Sequence, residues 1–181
     1  EINVESDYGL FMWEKMIEIG KQFGNQPYGT EALSTLRIEM GHVAGPELDG
    51  RTIPYDVSLD GMVSKKKDFI GKNSLNKDAF ISEGRQKIVG IVPIDRKSNI
   101  PEGSHIVADK NGKLPNPKLG HVSSSCWSVE NNNPFSLAII KDGKNMIGQK
   151  LFAMSPLKNK TIPVEIVSSH YVDPKGERVR S

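Results

Sequence analysis

The chain has 181 residues, 36% hydrophobic and 25% charged, with a formal net charge of +2. This leaves room for one sizeable core or two small ones and lacks the basic excess of a dedicated nucleic-acid binder. No apolar run approaches the roughly 20 residues that span a bilayer, no leader stands at the start, and Cys126 is the lone cysteine, so no membrane, no internal disulfide and a cytoplasmic location are expected.

Taken in chain order, "EINV" alternates Ile2 and Val4 with polar neighbours and predicts a strand. A chain that opens within a strand is expected to be a fragment of a longer protein. Ser6-Asp7 offers cap oxygens to a helix over "YGLFMWEKMIEIGKQF", where Leu10, Trp13, Met16 and Ile17 recur at helical spacing and Gly24 suits a left-handed stop. Thr30 can cap "EALSTLRIEM", whose Leu33, Leu36 and Met40 form an apolar stripe that Gly41 can end. At about 100° per residue, Glu39 falls on the shoulder of that stripe, placed to point sideways into a cleft. Glycines and prolines break residues 42–54, an apolar segment follows over 57–63, and a short helix starts at Gly71 or Asn73 and runs through Phe80.

Beyond residue 84 the pattern changes. "KIVGIVPI", "SHIVAD", "LGHVSSSCW", "FSLAIIK", "QKLFAM" and "TIPVEIVSS" are β-rich runs separated by the turn signals Asp-Lys-Asn-Gly, Pro-Asn-Pro, Asn-Asn-Asn-Pro and Lys-Asp-Gly. Short strands at this spacing predict a small barrel or sandwich. The expected fold class is α+β, with residues 1–83 as a mixed first domain and 84–181 as an antiparallel β-barrel.

Several residues invite chemistry. Glu39 with Arg37 is, in the bland reading, a charged pair on a helix surface that contributes little. In the functional reading, a carboxylate beside a cleft accepts two parallel N–H bonds from a flat ligand edge such as an aminopyrimidine. Lys65-Lys66-Lys67 is either a solvated charge run or a site for ligand carboxylates. Cys126 has no histidine and acid at a spacing that would activate it. "GHVAGPELDG" matches neither phosphate-cradle pattern. His42, His105, His121 and His170 lack metal-ligand spacing, so no metal is expected. His121 reads as a structural strand histidine, and its neighbour Gly120 predicts close backbone approach.

The ordered series "GTEALSTLRIEMGHVAGPELDGRTIPYDVSL", "VSKKKDFIGKNSL", "LGHVSSSCWS" and "SLAIIKDG" resembles the glycine cleavage T protein (aminomethyltransferase) family. Within that superfamily, "VSKKKDFIG" and the closing "YVDPKGERVRS" look most like the C-terminal region of the alpha subunits of heterotetrameric sarcosine oxidases. The resemblance implies a folate-binding fold, with residues 1–83 the C-terminal part of the folate-binding domain. It gives Glu39, in the intact "LRIEMG" motif, the role of holding the pterin. Lys67 stands where glycine cleavage members often carry Arg, preserving charge but not the planar fork, and Arg178 in the tail is a further folate candidate.

The same resemblance implies an enzyme that demethylates sarcosine to glycine and passes the one-carbon unit to tetrahydrofolate, giving the 5,10-methylene form. It puts the catalytic acid upstream of Glu1, so no catalytic residue is assigned here and full activity is not expected of this chain alone. NAD and the flavins FAD and FMN are expected elsewhere in the full enzyme, partly on other sarcosine oxidase subunits. A glycine cleavage aminomethyltransferase, a dimethylglycine dehydrogenase-like protein and a non-catalytic folate-fold module stay open as alternatives.

Overall fold

In the computed structural model, which describes residues 1–112 and 116–180, each of the six β-rich runs is a strand. Pro115 of the Pro-Asn-Pro signal lies outside the described residues. The strands are β1 (Gln86–Pro93), β2 (His105–Val107), β3 (Lys118–Ser128), β4 (Asn133–Lys141), β5 (Lys150–Ser155) and β6 (Lys160–Val167). They close into a barrel in the order β1-β4-β3-β2-β5-β6, every neighbouring pair antiparallel. The first and last strands seal the barrel, with Gly90 opposite Val167 and Pro93 opposite Val164. Closure removes the free edges that a small sheet otherwise exposes.

The strand sequences explain where the core sits. Val89, Ile91, Ile106, Val122, Ala138, Ile140, Ala153, Val164 and Ile166 form one buried cluster. Ile88, Val92, Phe135 and Leu137 form a second with Ile38 and Val57, against which Leu59, Cys126 and Tyr171 pack. β1 and β4 therefore contribute to both clusters and read as continuous apolar runs rather than alternating ones. At Gly120 a β-carbon would lie 2.0 Å from the Ile139 carbonyl oxygen, so the close approach expected there is real.

The chain divides into two compact units, Glu1–Leu33 and Ser34–Ser181. In the first, residues 1–5 are not a strand, contrary to the alternation of "EINV". A strand needs a ladder partner, and the described residues supply none. A 3-10 turn at Ser6–Tyr8 leads into α1 (Gly9–Gly20), whose N-cap is Tyr8 without a side-chain cap, so the expected capping by Ser6 or Asp7 does not occur. The tight turn closes instead through the Tyr8 N–H to the Glu5 carbonyl at 3.0 Å. No residue of α1 is buried, with Leu10 70% and Trp13 56% exposed. Gly24 takes the left-handed φ of 70° expected of a stop.

α2 (Thr30–Glu39) begins at Thr30 rather than after it. Its packed side is not the Leu33–Leu36 stripe, for both leucines are half exposed, whereas Ile38 and Glu39 are buried. Tertiary packing of the last turn against the second cluster overrides the stripe. Glu39 thus lies inside the contact and not on its shoulder. Gly41 ends the run with φ 70°, where a β-carbon would meet the Ser169 carbonyl oxygen at 2.6 Å. Between α2 and the barrel come 3-10 turns, among them Pro54–Asp56 and Asp60–Met62, then α3 (Lys72–Leu75) and α4 (Asp78–Ile81). The single helix expected through Phe80 is two, because Lys77 is extended with ψ 144°.

Candidate functional site

The end of α2 is held by contacts within the second unit. The Glu39 carbonyl accepts N–H bonds from Tyr171 and Val172, each 3.0 Å. The Tyr171 ring stacks parallel on Phe135 of β4 at 4.3 Å between centroids, and its hydroxyl donates to Asn133 Oδ1 at 3.1 Å. The segment after β6 is thereby fastened to the helix end on one side and to the barrel on the other.

Arg37 makes the second attachment. Its Nη1 donates to Glu47 Oε2 at 2.9 Å and its Nη2 to the Ser124 hydroxyl of β3 at 2.7 Å. That hydroxyl in turn donates to Glu47 Oε1 at 2.6 Å, and the Ala44 N–H donates to Glu47 Oε2 at 2.9 Å. Glu47 is only 1% exposed. Burial would raise its pKa, but the bonds from Ser124, Ser123 and the Ala44 N–H, with the charge of Arg37, outweigh that and hold it below the usual carboxylate value. The pair imagined between Arg37 and Glu39 is thus made with Glu47, and it is buried rather than solvated.

Glu39 is in a different state. It is 4% exposed, and its Oε1 is buried with no hydrogen-bond partner among the described residues. An orphaned polar atom of this kind costs roughly 1–3 kcal/mol, more when charged. Cys126 on β3 feels this carboxylate: its thiol is pushed up to about 12, first by burial and then by the charge of Glu39, with Arg37 opposing. Such a thiol stays protonated at neutral pH and is a poor nucleophile. The site therefore presents an acceptor without a donor.

Lys67 is exposed and lines a cavity of about 500 Å³ with Pro54, Leu59, Met62, Val63 and Phe69. Leu59, which lines this cavity, also packs against the cluster that includes Ile38. Arg178 is more than half exposed, and its Nη2 donates to Glu130 Oε1 at 2.6 Å. His121 sits on β3 opposite His105 and Ile139 and lines a polar cavity of about 190 Å³ with Asp49, Arg51 and Arg85. Burial, followed by the charges of Lys118 and Arg51, keeps it below the ordinary imidazole value.

Sequence reasoning passed over Glu47, Ser124 and a second buried carboxylate, Asp56. Asp56 binds Arg85 in a bidentate pair, accepts from Lys87 Nζ at 3.1 Å and from the Ile53 N–H at 3.2 Å, and so ties the 3-10 segment to the start of β1. A legible signal existed: Glu47 and Asp56 each close a three-residue turn with a proline in its first two positions, Pro46 and Pro54. Among the described residues no group of His, Cys, Asp and Glu is arranged to hold a metal, and no helix is long and apolar enough to cross a membrane.

Residues 1–67 match the GCVT N-terminal domain model and residues 86–173 the glycine cleavage T-protein C-terminal barrel domain model. The sarcosine oxidase subunit alpha of Rhizobium meliloti (strain 1021) is 34% identical over 99% of this chain, and that of Corynebacterium sp. (strain P-1) 35% identical over 98%. The chain spans 18% of the length of each. An aminomethyltransferase of Thermoanaerobacter pseudethanolicus is 33% identical over 94% of the chain, which covers 44% of that protein. The crystal structure of glycine cleavage system aminomethyltransferase T from Bartonella henselae superposes with a TM-score of 0.62 at 22% identity, covering 79% of this chain and 38% of that one, and shows the shared fold.

Proposed function

The chain belongs to the glycine cleavage T-protein family, and from that premise we propose that it is the C-terminal folate-binding region of a sarcosine oxidase alpha subunit. Residues 1–83 would then be the end of the folate-binding domain and 84–181 the barrel domain. The observation that carries the reading is the buried, unpartnered Oε1 of Glu39.

A protein keeps an orphaned buried carboxylate oxygen at a cost, and that cost is recovered when a ligand brings the missing donors. The 2-amino and ring N–H groups of a reduced pterin form a flat pair of donors of this kind. Glu39 accepts them and fixes the orientation of the ring. The Arg37–Ser124–Glu47 network and the Tyr171 and Val172 N–H bonds immobilise the helix end that carries it. Lys67, at the mouth of the apolar cavity, attracts the tail carboxylate. Arg178, further along the same tail as Tyr171, is the third candidate contact.

In this reading the whole enzyme works in the cytoplasm as a heterotetramer, oxidising sarcosine to glycine while tetrahydrofolate takes the one-carbon unit as the 5,10-methylene form. FAD, FMN and NAD would be held outside this chain, the flavins supplying the two-electron oxidation of the amine. The contribution of these residues to rate is positional, an effect that can amount to several kcal/mol.

The test is a calorimetric titration of the full-length protein with a stable reduced folate, with Glu39→Gln in parallel. The expected result is a loss of affinity of tenfold or more, about 1.4 kcal/mol, in the variant. Equal affinities would remove Glu39 from the pterin site, and no binding by the parent would remove folate.

A further inference from the structure

The Glu39 carboxylate stands on the last residue of α2, and the place of that residue is set from outside the helix. A carbonyl in the final turn has no partner within its own helix. That of Glu39 accepts the N–H groups of Tyr171 and Val172, each at 3.0 Å. The position of the 171–172 backbone therefore governs where the carboxylate is held.

The Tyr171 side chain in turn refers this backbone to the barrel. Its ring lies parallel on Phe135, 4.3 Å between centroids, and Phe135 is fully buried in β4. Stacking fixes the plane of a ring but leaves it free to slide and turn within that plane. A second contact at the far end of the ring removes this freedom. The Tyr171 hydroxyl donates to Asn133 Oδ1 at 3.1 Å, and Asn133 Nδ2 donates to that hydroxyl at 3.0 Å and to the Asn131 carbonyl at 3.2 Å. Asn133 opens β4 opposite Ser128, so the ring is pinned to the β3–β4 ladder at two points. Phenylalanine at 171 would serve for packing alone, and the hydroxyl is what packing leaves unexplained.

Resting on the folate reading above, we propose that Asn133 and the Tyr171 hydroxyl are a positioning pair. They set how well the site distinguishes a pterin edge with two donors from an edge with one. Two parallel N–H bonds to one carboxylate demand a narrower geometry than a single bond. A carboxylate that drifts keeps one bond and loses the other, so discrimination falls further than affinity for a one-donor ligand.

The experiment titrates a stable reduced folate and its 2-desamino counterpart, which lacks one donor, into the full-length parent, Asn133→Ala, Tyr171→Phe and the double variant. The parent is expected to prefer the 2-amino form about tenfold. In each single variant that ratio falls to about twofold, and in the double variant it falls no further, because the two groups act as one. Tyr171→Phe removes only a hydroxyl and keeps the stack, so it reads the ratio even where Asn133→Ala is too unstable to assay. A purely structural role lowers both affinities together and leaves the ratio at its parental value. That result, or independent effects that add in the double variant, overturns the positioning pair and leaves the folate reading intact. A parent that binds both forms alike overturns the two-donor contact on which the pair would act, and a parent that binds neither overturns the folate reading itself.

Discussion

The loop that carries Glu47 and the helix end that carries Glu39 are both buried in the second unit, and both contribute a carboxylate. They differ in what meets it. Glu47 receives Arg37, the Ser124 hydroxyl and the Ala44 N–H, whereas Oε1 of Glu39 receives nothing from the described residues. A carboxylate that the fold surrounds with donors works for the fold. One with an oxygen that the fold buries without a donor lowers stability, which is the pattern expected of a binding group rather than a structural one.

The contrast breaks most severely at Glu47. Glu47→Ala leaves the Arg37 guanidinium and the Ala44 N–H without their acceptor, so a loss of roughly 3–5 kcal/mol is expected in denaturant unfolding. Ser124→Ala removes one hydroxyl from the same network and is expected to cost about 1–2 kcal/mol by the same assay.

Acid sharpens it next. Glu47 and Asp56 are both held below their ordinary values in the fold, burial pushing each up while Ser124 for the one and Arg85 and Lys87 for the other pull harder down. A folded pKa below the unfolded one means that the deprotonated form favours folding. This stabilisation is complete above the unfolded carboxylate pKa of about 4 and is lost as pH falls from there through the folded values. Thermal midpoints measured from pH 6 downward should therefore drop below pH 4, and Asp56→Asn should flatten that drop.

The smallest stability effect is expected at Glu39, with the opposite sign. Glu39→Gln should leave the fold as stable as the parent or firmer by up to about 1 kcal/mol, while folate affinity falls. A substantial loss of stability in this variant would put Glu39 with Glu47, as a structural group.

The barrel was legible because its information is local. Six β-rich runs, the middle ones set apart by turn signals, fall on β1 to β6, and Gly120 announced its close contact. Glu39 was legible only as a motif: its spacing suggested the rim of the contact, and burial of Ile38 beside it put it within. The polar ties were hidden because their partners are remote in sequence. Ser124 stands 77 positions from Glu47, and Arg85 stands 29 from Asp56. No window of periodicity spans such separations. "EINV" failed for the complementary reason, since alternation names a strand but cannot supply its neighbour.

The pairing of β1 with β6 has a topological corollary. The chain enters and leaves the barrel on adjacent strands, so the barrel is in effect a cyclic insert between α2 and the segment that returns to it at Tyr171. Linking residue 168 back to residue 85 through a short connector that spans the four-residue offset of the β1–β6 register, and opening a new terminus in the 129–132 turn, would give a circularly permuted barrel that keeps every strand. A simple truncation after Val167 would also keep all six, yet it would sever the two N–H bonds that hold the Glu39 carbonyl and leave the helix end with the Arg37 attachment in place of two.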